Sequence, residues 1–461
     1  MKTQESMSKM GTTKVNKLML TMGIPMILSM VLQAVYNIVD SAFVSNMREN
    51  GEAALNALTL AFPVQMLMVA IGVGTGVGTN ALLSKCLGQG NREKASRVSG
   101  NSLFLGMVIY AVFLLFGIFG VKVYICSQTS NPLIEEMGMD YLSVCCILSF
   151  GIVFFSILEK LLQATGRSQY STIAQIAGAL TNVVLDPIFI YGYLGLPEMG
   201  VKGAAYATII GQIVSMALAF LFHLRYNKEI KNKISYIKPE GKIVGGIYAI
   251  GLPAIIAQAL MSVMTYGLNL ILGTIGETAV TAYGLFYKIQ QFILFAAFGL
   301  RDAITPIVSF NHGMRSRSRV LEGIKYGLLY TLGIMAVGLL LLEVFAGPLS
   351  ETFGLSKETR GLCISAMRII SVSFLFAGAN IAFQGIFQAL DSGVESLILS
   401  VCRQLVFVLP VAWGLAKIAA ASSEKVWLVW WTFPVAEAAT AVIACVLMKR
   451  IQRKKIQGLE G

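Results

Sequence analysis

The chain has 461 residues, of which 56% are hydrophobic and only 13% charged, and its mean hydropathy is +0.72. Soluble proteins carry about a quarter charged residues, so a soluble enzyme or nucleic-acid-binding domain is excluded. Apolar runs of roughly 20 residues recur along the chain. That is the length of a membrane-crossing helix and too long for the strands of a membrane barrel.

Taken in order, twelve spans are predicted at about 17–46, 53–86, 96–122, 133–163, 168–192, 201–225, 243–272, 279–311, 320–346, 358–389, 396–416 and 426–448. The first run is too long for the apolar core of a signal peptide, and no small-residue cleavage site follows, so it reads as an uncleaved span. Loop chemistry separates the runs: ENGE, GQGNREK, SNP, TGRS and YLGLPEMG follow spans 1 to 5. The long polar stretch 227–242 divides an N-lobe, 1–226, from a C-lobe, 243–461.

The net charge of +12 has a topological explanation. With both termini in the cytoplasm, 26 Lys and Arg fall on that side, Arg403 among them, and seven on the other. This is the positive-inside pattern of an inner, plasma-membrane protein, and it leaves no call for a nucleic-acid partner. The seven cysteines lack metal or disulfide spacing, and no catalytic constellation such as HExxH, CxxC or GxSxG occurs.

The halves repeat. Gly51-Glu52-Ala53-Ala54 reads against Gly276-Glu277-Thr278-Ala279 at an offset of 225, and the same offset takes Gln163-Ala164 to Gln388-Ala389. At an offset of 228, Gly23-Ile24-Pro25 falls on Gly251-Leu252-Pro253. Six spans separate matching elements, so the repeats run in the same orientation. That architecture is used by transporters with a mid-membrane site.

Two acids lie inside spans. Gln33, Tyr36, Asn37 and Asp40 share one face of span 1, and Asn182 and Asp186 share a face of span 5. An intramembrane carboxylate is costly and faces a bundle interior or water, so Asp40 and Asp186 are candidates for a coupled proton or cation site. Their repeat partners are Leu268 and Val411, so the fold alone does not demand the acids. In the second half, Asn380, Gln384 and Gln388 form a stripe on span 10, and Gln258 adds an amide on span 7. These line a cavity or join helices. Asp302 beside Arg301, and Glu159 beside Lys160, read as local pairs near the cytoplasmic ends. Pro25 removes a helix hydrogen bond and is a candidate bend.

The order of QAVYNIVD in span 1, LDPIF in span 5, GAAYAT after it, and the GQGN and SFNHG loops resembles the multidrug and toxic compound extrusion (MATE) family over nearly the whole chain. The resemblance implies an all-α, V-shaped bundle of twelve helices. It implies an antiporter, monomeric and without a cofactor, that exports organic cations or amphipathic drugs against inward H⁺ or Na⁺. It further implies an ion site at Asp40, Asn182, Asp186 and Thr208. It matches Tyr141 to a cavity tyrosine early in span 4 and Pro25 to the bend of span 1. The C-lobe acid of some members has no counterpart here, and Gln33, Tyr36, Asn37, Gln258, Asn380 and Gln384 are added as cavity candidates from the residues alone. A flippase for lipid-linked or polysaccharide cargo, in contact with membrane lipid, is the alternative within the same superfamily.

Overall fold

Hydrocarbon offers backbone amides no water, so a spanning chain must close its hydrogen bonds within helices or a sealed barrel. The computed structural model describes residues 9–47, 50–351, 356–420 and 423–459, with backbone alone at 37, 38, 41, 45, 52, 423 and 424. Among these residues all elements are helical. Ten helices are long and apolar enough to cross a membrane, and two bent pairs bring the total to twelve.

The helices are span 1 (Val15–Ser45), span 2 (Gly51–Gly88), span 3 (Arg92–Gln128), span 5 (Ser168–Ile190), span 6 (Gly200–Tyr226), span 7 (Gly241–Gly273), span 8 (Glu277–Gly313), span 9 (Arg317–Glu351), span 11 (Gly393–Ala419) and span 12 (Lys425–Ile456). Span 4 is the pair Pro132–Ile147 and Phe150–Ala164, bent by 45°, and span 10 is the pair Lys357–Ser371 and Phe374–Ala389, bent by 52°. The two breaks, at 148–149 and 372–373, fall within one residue of the same repeat position, and neither contains proline. Span 1 runs as one helix through Pro25.

The loop signals act as caps. The Asn91 side chain accepts from the Lys94 amide at 2.9 Å, and Asn131, followed by Pro132, accepts from Leu133 at 3.0 Å. The repeat extends to the turns. Spans 2 and 8 end at Gly88 and Gly313, and spans 4 and 10 end at Ala164 and Ala389. Just beyond these ends the backbone turns left-handed, at Gly90 (φ 71°) and Gly166 (φ 76°) in the first half. The matching residues of the second half are Arg315 (φ 59°) and Asp391 (φ 53°).

The chain packs as two compact units. The first is Leu28–Ile255, and the second holds the described residues on either side of it. This division by contacts falls inside spans 1 and 7, whereas the repeat divides the chain in the polar stretch after span 6. The first unit has one apolar core around Val44, Phe113, Tyr141 and Val201, and another around Leu83, Leu158, Leu161 and Ile247. The core of the second unit gathers Leu268, Phe286, Ile370, Phe374 and Trp430.

Charges counted as cytoplasmic from the sequence need one correction. Lys160 is buried within the second limb of span 4, Phe150–Ala164, and Arg403 lies within span 11. Both are satisfied by neighbours inside their helix bundle.

Candidate functional site

Five spans of the first unit converge on Asp40. Close packing of spans 5 and 6 prepares the site. A Cβ on Gly178 would land on the Ser215 hydroxyl and the Gly211 carbonyl, and one on Gly211 would stand 3.0 Å from Asn182 Cβ. With glycine at both points, Asn182 lies against span 6. Its Nδ2 donates to Asp186 Oδ1 and to Thr208 Oγ1, both at 3.3 Å. Asp186, Asn182 and Thr208 are 0%, 2% and 5% exposed, so bulk water does not serve them.

Span 1 closes the cluster. It brings the Asp40 carboxyl beside that of Asp186 and the Tyr36 hydroxyl beside Thr208. Asp40 Oδ1, Asp186 Oδ2 and Asn182 Oδ1 are buried and accept from no donor among the described residues. The cluster is therefore rich in acceptors and poor in donors. Buried polar atoms are almost always paired, so three unpaired acceptors in one place point to a cation or proton as the missing partner.

Tyr141 on the first limb of span 4, Pro132–Ile147, neighbours Asp40 and Tyr36, and its hydroxyl accepts from Gln65 Nε2 on span 2 at 3.2 Å. Gln33 faces a second group, where it accepts from Gln175 Nε2 at 3.2 Å, and Gln175 in turn accepts from the Ser29 hydroxyl. The polar face of span 1 thus serves two clusters. Asn37 lies on the same helix, with its side chain outside the described residues. Gln175 was missed in the sequence. A single amide in a span rich in Ser, Thr and Gln gives little signal.

The second unit fills the equivalent positions with hydrocarbon. Leu268 and Phe433 are core residues, and Phe407, at the register of Asn182, packs against that core. Its polar side chains lie elsewhere. Several are joined in pairs, while Asn380 Oδ1, Gln404 Oε1 and Gln290 Oε1 are buried acceptors with no donor among the described residues, scattered and without a facing carboxyl pair. Asn380 Nδ2 donates to the Glu437 carbonyl at 3.0 Å and to its Oε2 at 2.8 Å, while Arg403 Nε donates to Glu437 Oε1 at 2.6 Å. Gln384 donates to Ser400 Oγ at 2.8 Å and accepts from Arg301 Nη1 at 3.3 Å. Arg301 pairs with Asp302 at 2.9 Å. Gln258 is exposed on span 7. Glu437, one acid in a long apolar run, was not singled out by the sequence.

A family profile described as MatE matches residues 25–188 and again 253–413, each match beginning at an equivalent proline. The chain belongs to the MatE family. MatE proteins are transporters rather than enzymes. This MatE chain is 25% identical over 456 residues to the multidrug export protein MepA of Staphylococcus saprophyticus, covering 97% of this chain and 98% of the relative. It superposes with a TM-score of 0.89 on an outward-facing multidrug resistance MATE transporter of the MOP superfamily, at 25% identity over 97% of this chain and 98% of that one. A MOP superfamily transporter from Pyrococcus furiosus, described as having a binding pocket of reversed polarity that suggests a different function, matches with a TM-score of 0.87 at 25% identity, covering 97% and 98%. The fold is thus common to this chain and the two solved structures.

Proposed function

We propose that this MatE transporter is a secondary antiporter that exports organic cations or amphipathic drug-like compounds in exchange for inward H⁺ or Na⁺. The observation that carries the reading is the donor-poor cluster of Asp40, Asp186, Asn182 and Thr208. Two facing carboxyls repel each other when both are charged, and a proton or a monovalent cation between them removes the repulsion. The Asn182 and Thr208 oxygens would complete the shell of a hard cation, which prefers oxygen ligands. The drug cargo is suggested by the relatives named for multidrug export.

In the proposed cycle, ion uptake at Asp40 and Asp186 competes with a cationic cargo held near Gln33, Tyr36, Asn37 and Tyr141. Alternating access then carries the two in opposite directions, with span 1 adjusting near Pro25. An inward monovalent cation supplies about 2.3 kcal/mol per 100 mV. Acidic walls favour cationic cargo over the pyrophosphate of a lipid-linked sugar. The excess of Lys and Arg supports an inner-membrane orientation with cytoplasmic termini.

Proteoliposomes loaded with ethidium, with proton and sodium gradients imposed separately, test the reading. Wild type should expel dye under at least one gradient, and Asp40→Asn should fold and insert but expel none. Gradient-driven efflux by Asp40→Asn at the wild-type rate overturns the assignment of the site.

A further inference from the structure

Each unit buries one cation where the second helix of its repeat crosses the second limb of the fourth, but the cation comes from opposite helices. In the first unit Lys160 sits on span 4 and faces Gly76 on span 2. A Cβ on Gly76 would stand 2.7 Å from Lys160 Cγ. In the second unit Arg301 sits on span 8 and faces Gly385 on span 10. A Cβ on Gly385 would stand 2.7 Å from Arg301 Cγ. At the repeat offset of 225, Gly76 corresponds to Arg301 and Lys160 to Gly385. The long cationic side chain and the glycine that makes room for it have exchanged helices.

The polar surroundings follow the exchange. Lys160 is 1% exposed and donates to Gln163 Oε1 at 3.0 Å, with Glu159 Oε2 at 4.0 Å. Gln163 in turn donates to Glu159 Oε1 at 2.8 Å. Arg301 donates to Asp302 Oδ1 at 2.9 and 3.1 Å and to Gln384 Oε1 at 3.3 Å. Gln384 occupies the repeat position of Glu159, so the same position supplies an oxygen to the cation in both units. The carboxylate has moved with the cation, from span 4 in one unit to span 8 in the other, and each site stays neutral.

We infer that each crossing requires one buried cation whichever helix supplies it, and that Lys160 and Arg301 are positioning residues that set the spacing of the helix pair. In the first unit the same two spans meet again through the Gln65–Tyr141 hydrogen bond, beside Asp40. Lys160 therefore acts on the acidic cluster through Tyr141 and never touches cargo.

Helix-exchange variants of the full chain test this by thermal unfolding in detergent, which requires no transport. Failure of the efflux reading would leave this arm intact. Lys160→Gly removes the cation beside Glu159, which keeps Gln163, and Gly76→Lys forces two ammonium stems into one volume. Each should lower the apparent Tm by about 5 °C or more, and the double variant should recover to within about 2 °C of wild type. The pair Arg301→Gly and Gly385→Arg should behave alike. A double variant no more stable than its weaker single overturns the inference. Lys160→Met keeps the stem and removes the charge, so it tests charge where the glycine variants fail to fold. It should raise the KM for ethidium about tenfold while Lys160→Arg stays near wild type. Wild-type KM and Tm in Lys160→Met also overturn the inference.

Discussion

Glu437→Leu probes an acid of the second unit whose two carboxylate oxygens both have partners. The carboxylate is 8% exposed in its side chain and receives Arg403 at 2.6 Å and Asn380 at 2.8 Å. Arg403 is itself only 16% exposed, so solvent screens the pair little. Deleting the acid alone leaves a guanidinium buried without its partner, a loss of about 3–5 kcal/mol. For a folding unit of roughly 150–250 residues, each kcal/mol moves the Tm by about 2–4 °C, so the variant should melt about 6–20 °C lower. Replacing both members, as Arg403→Met with Glu437→Leu, removes the stranded charge. What remains is the loss of one of the two acceptors of Asn380 Nδ2, which keeps the backbone carbonyl of residue 437 at 3.0 Å, a loss of about 1 kcal/mol. The double variant should therefore be more stable than Glu437→Leu alone, read by thermal unfolding in one detergent. A double variant whose loss equals the sum of the two single losses refutes the pairing energetics.

Left-handed turns give a second expectation, also read from Tm. Arg315→Gly and Asp391→Gly should each stabilise by about 1 kcal/mol, because a Cβ is strained in that conformation, and Gly166→Asp should do the reverse. Gly178→Val should push spans 5 and 6 apart at Ser215 and Gly211 and abolish ion-driven dye efflux. Added Ser215→Gly should restore part of both efflux and Tm. Thr208→Val preserves shape but loses the hydroxyl that Asn182 bonds, so the half-saturating concentration of the driving ion should rise about three- to tenfold. An unchanged value would remove Thr208 from the ion's shell.

The spans were legible because hydropathy averages over about 20 residues, and a bilayer imposes that length. The repeat was legible because glycines, turns and caps recur at one offset, down to Gly88 against Gly313. Asp40 and Asp186 stood out as acids in apolar helices, and the structure brings their carboxyls together. The 45° and 52° bends were not legible, since neither break carries proline. Glu437 was hidden by the same averaging that reveals a span, because one acid hardly changes the mean of span 12. Its partner Arg403, inside the predicted span 396–416, was counted with the cytoplasmic charges because it lies close to the polar turn at Asp391. A π turn at Cys402–Val406 carries it, and no propensity marks such a turn.

The division of the chain inside spans 1 and 7 bears on biosynthesis. The Arg319 guanidinium holds the carbonyls of Met10 and Thr13, and Gly299 lies against Met26 and Ile27. Gly78 lies against the Ile247 carbonyl and Gly74 against Ile255. The start of span 1 thus belongs to the unit finished last, and must wait in the bilayer for partners about 300 residues later in translation. The unit made first cannot close until the start of span 7 has emerged. Neither six-span half, expressed alone, contains a complete set of packing partners. A chain cut in the polar stretch after span 6 should regain its structure only when both fragments are made together.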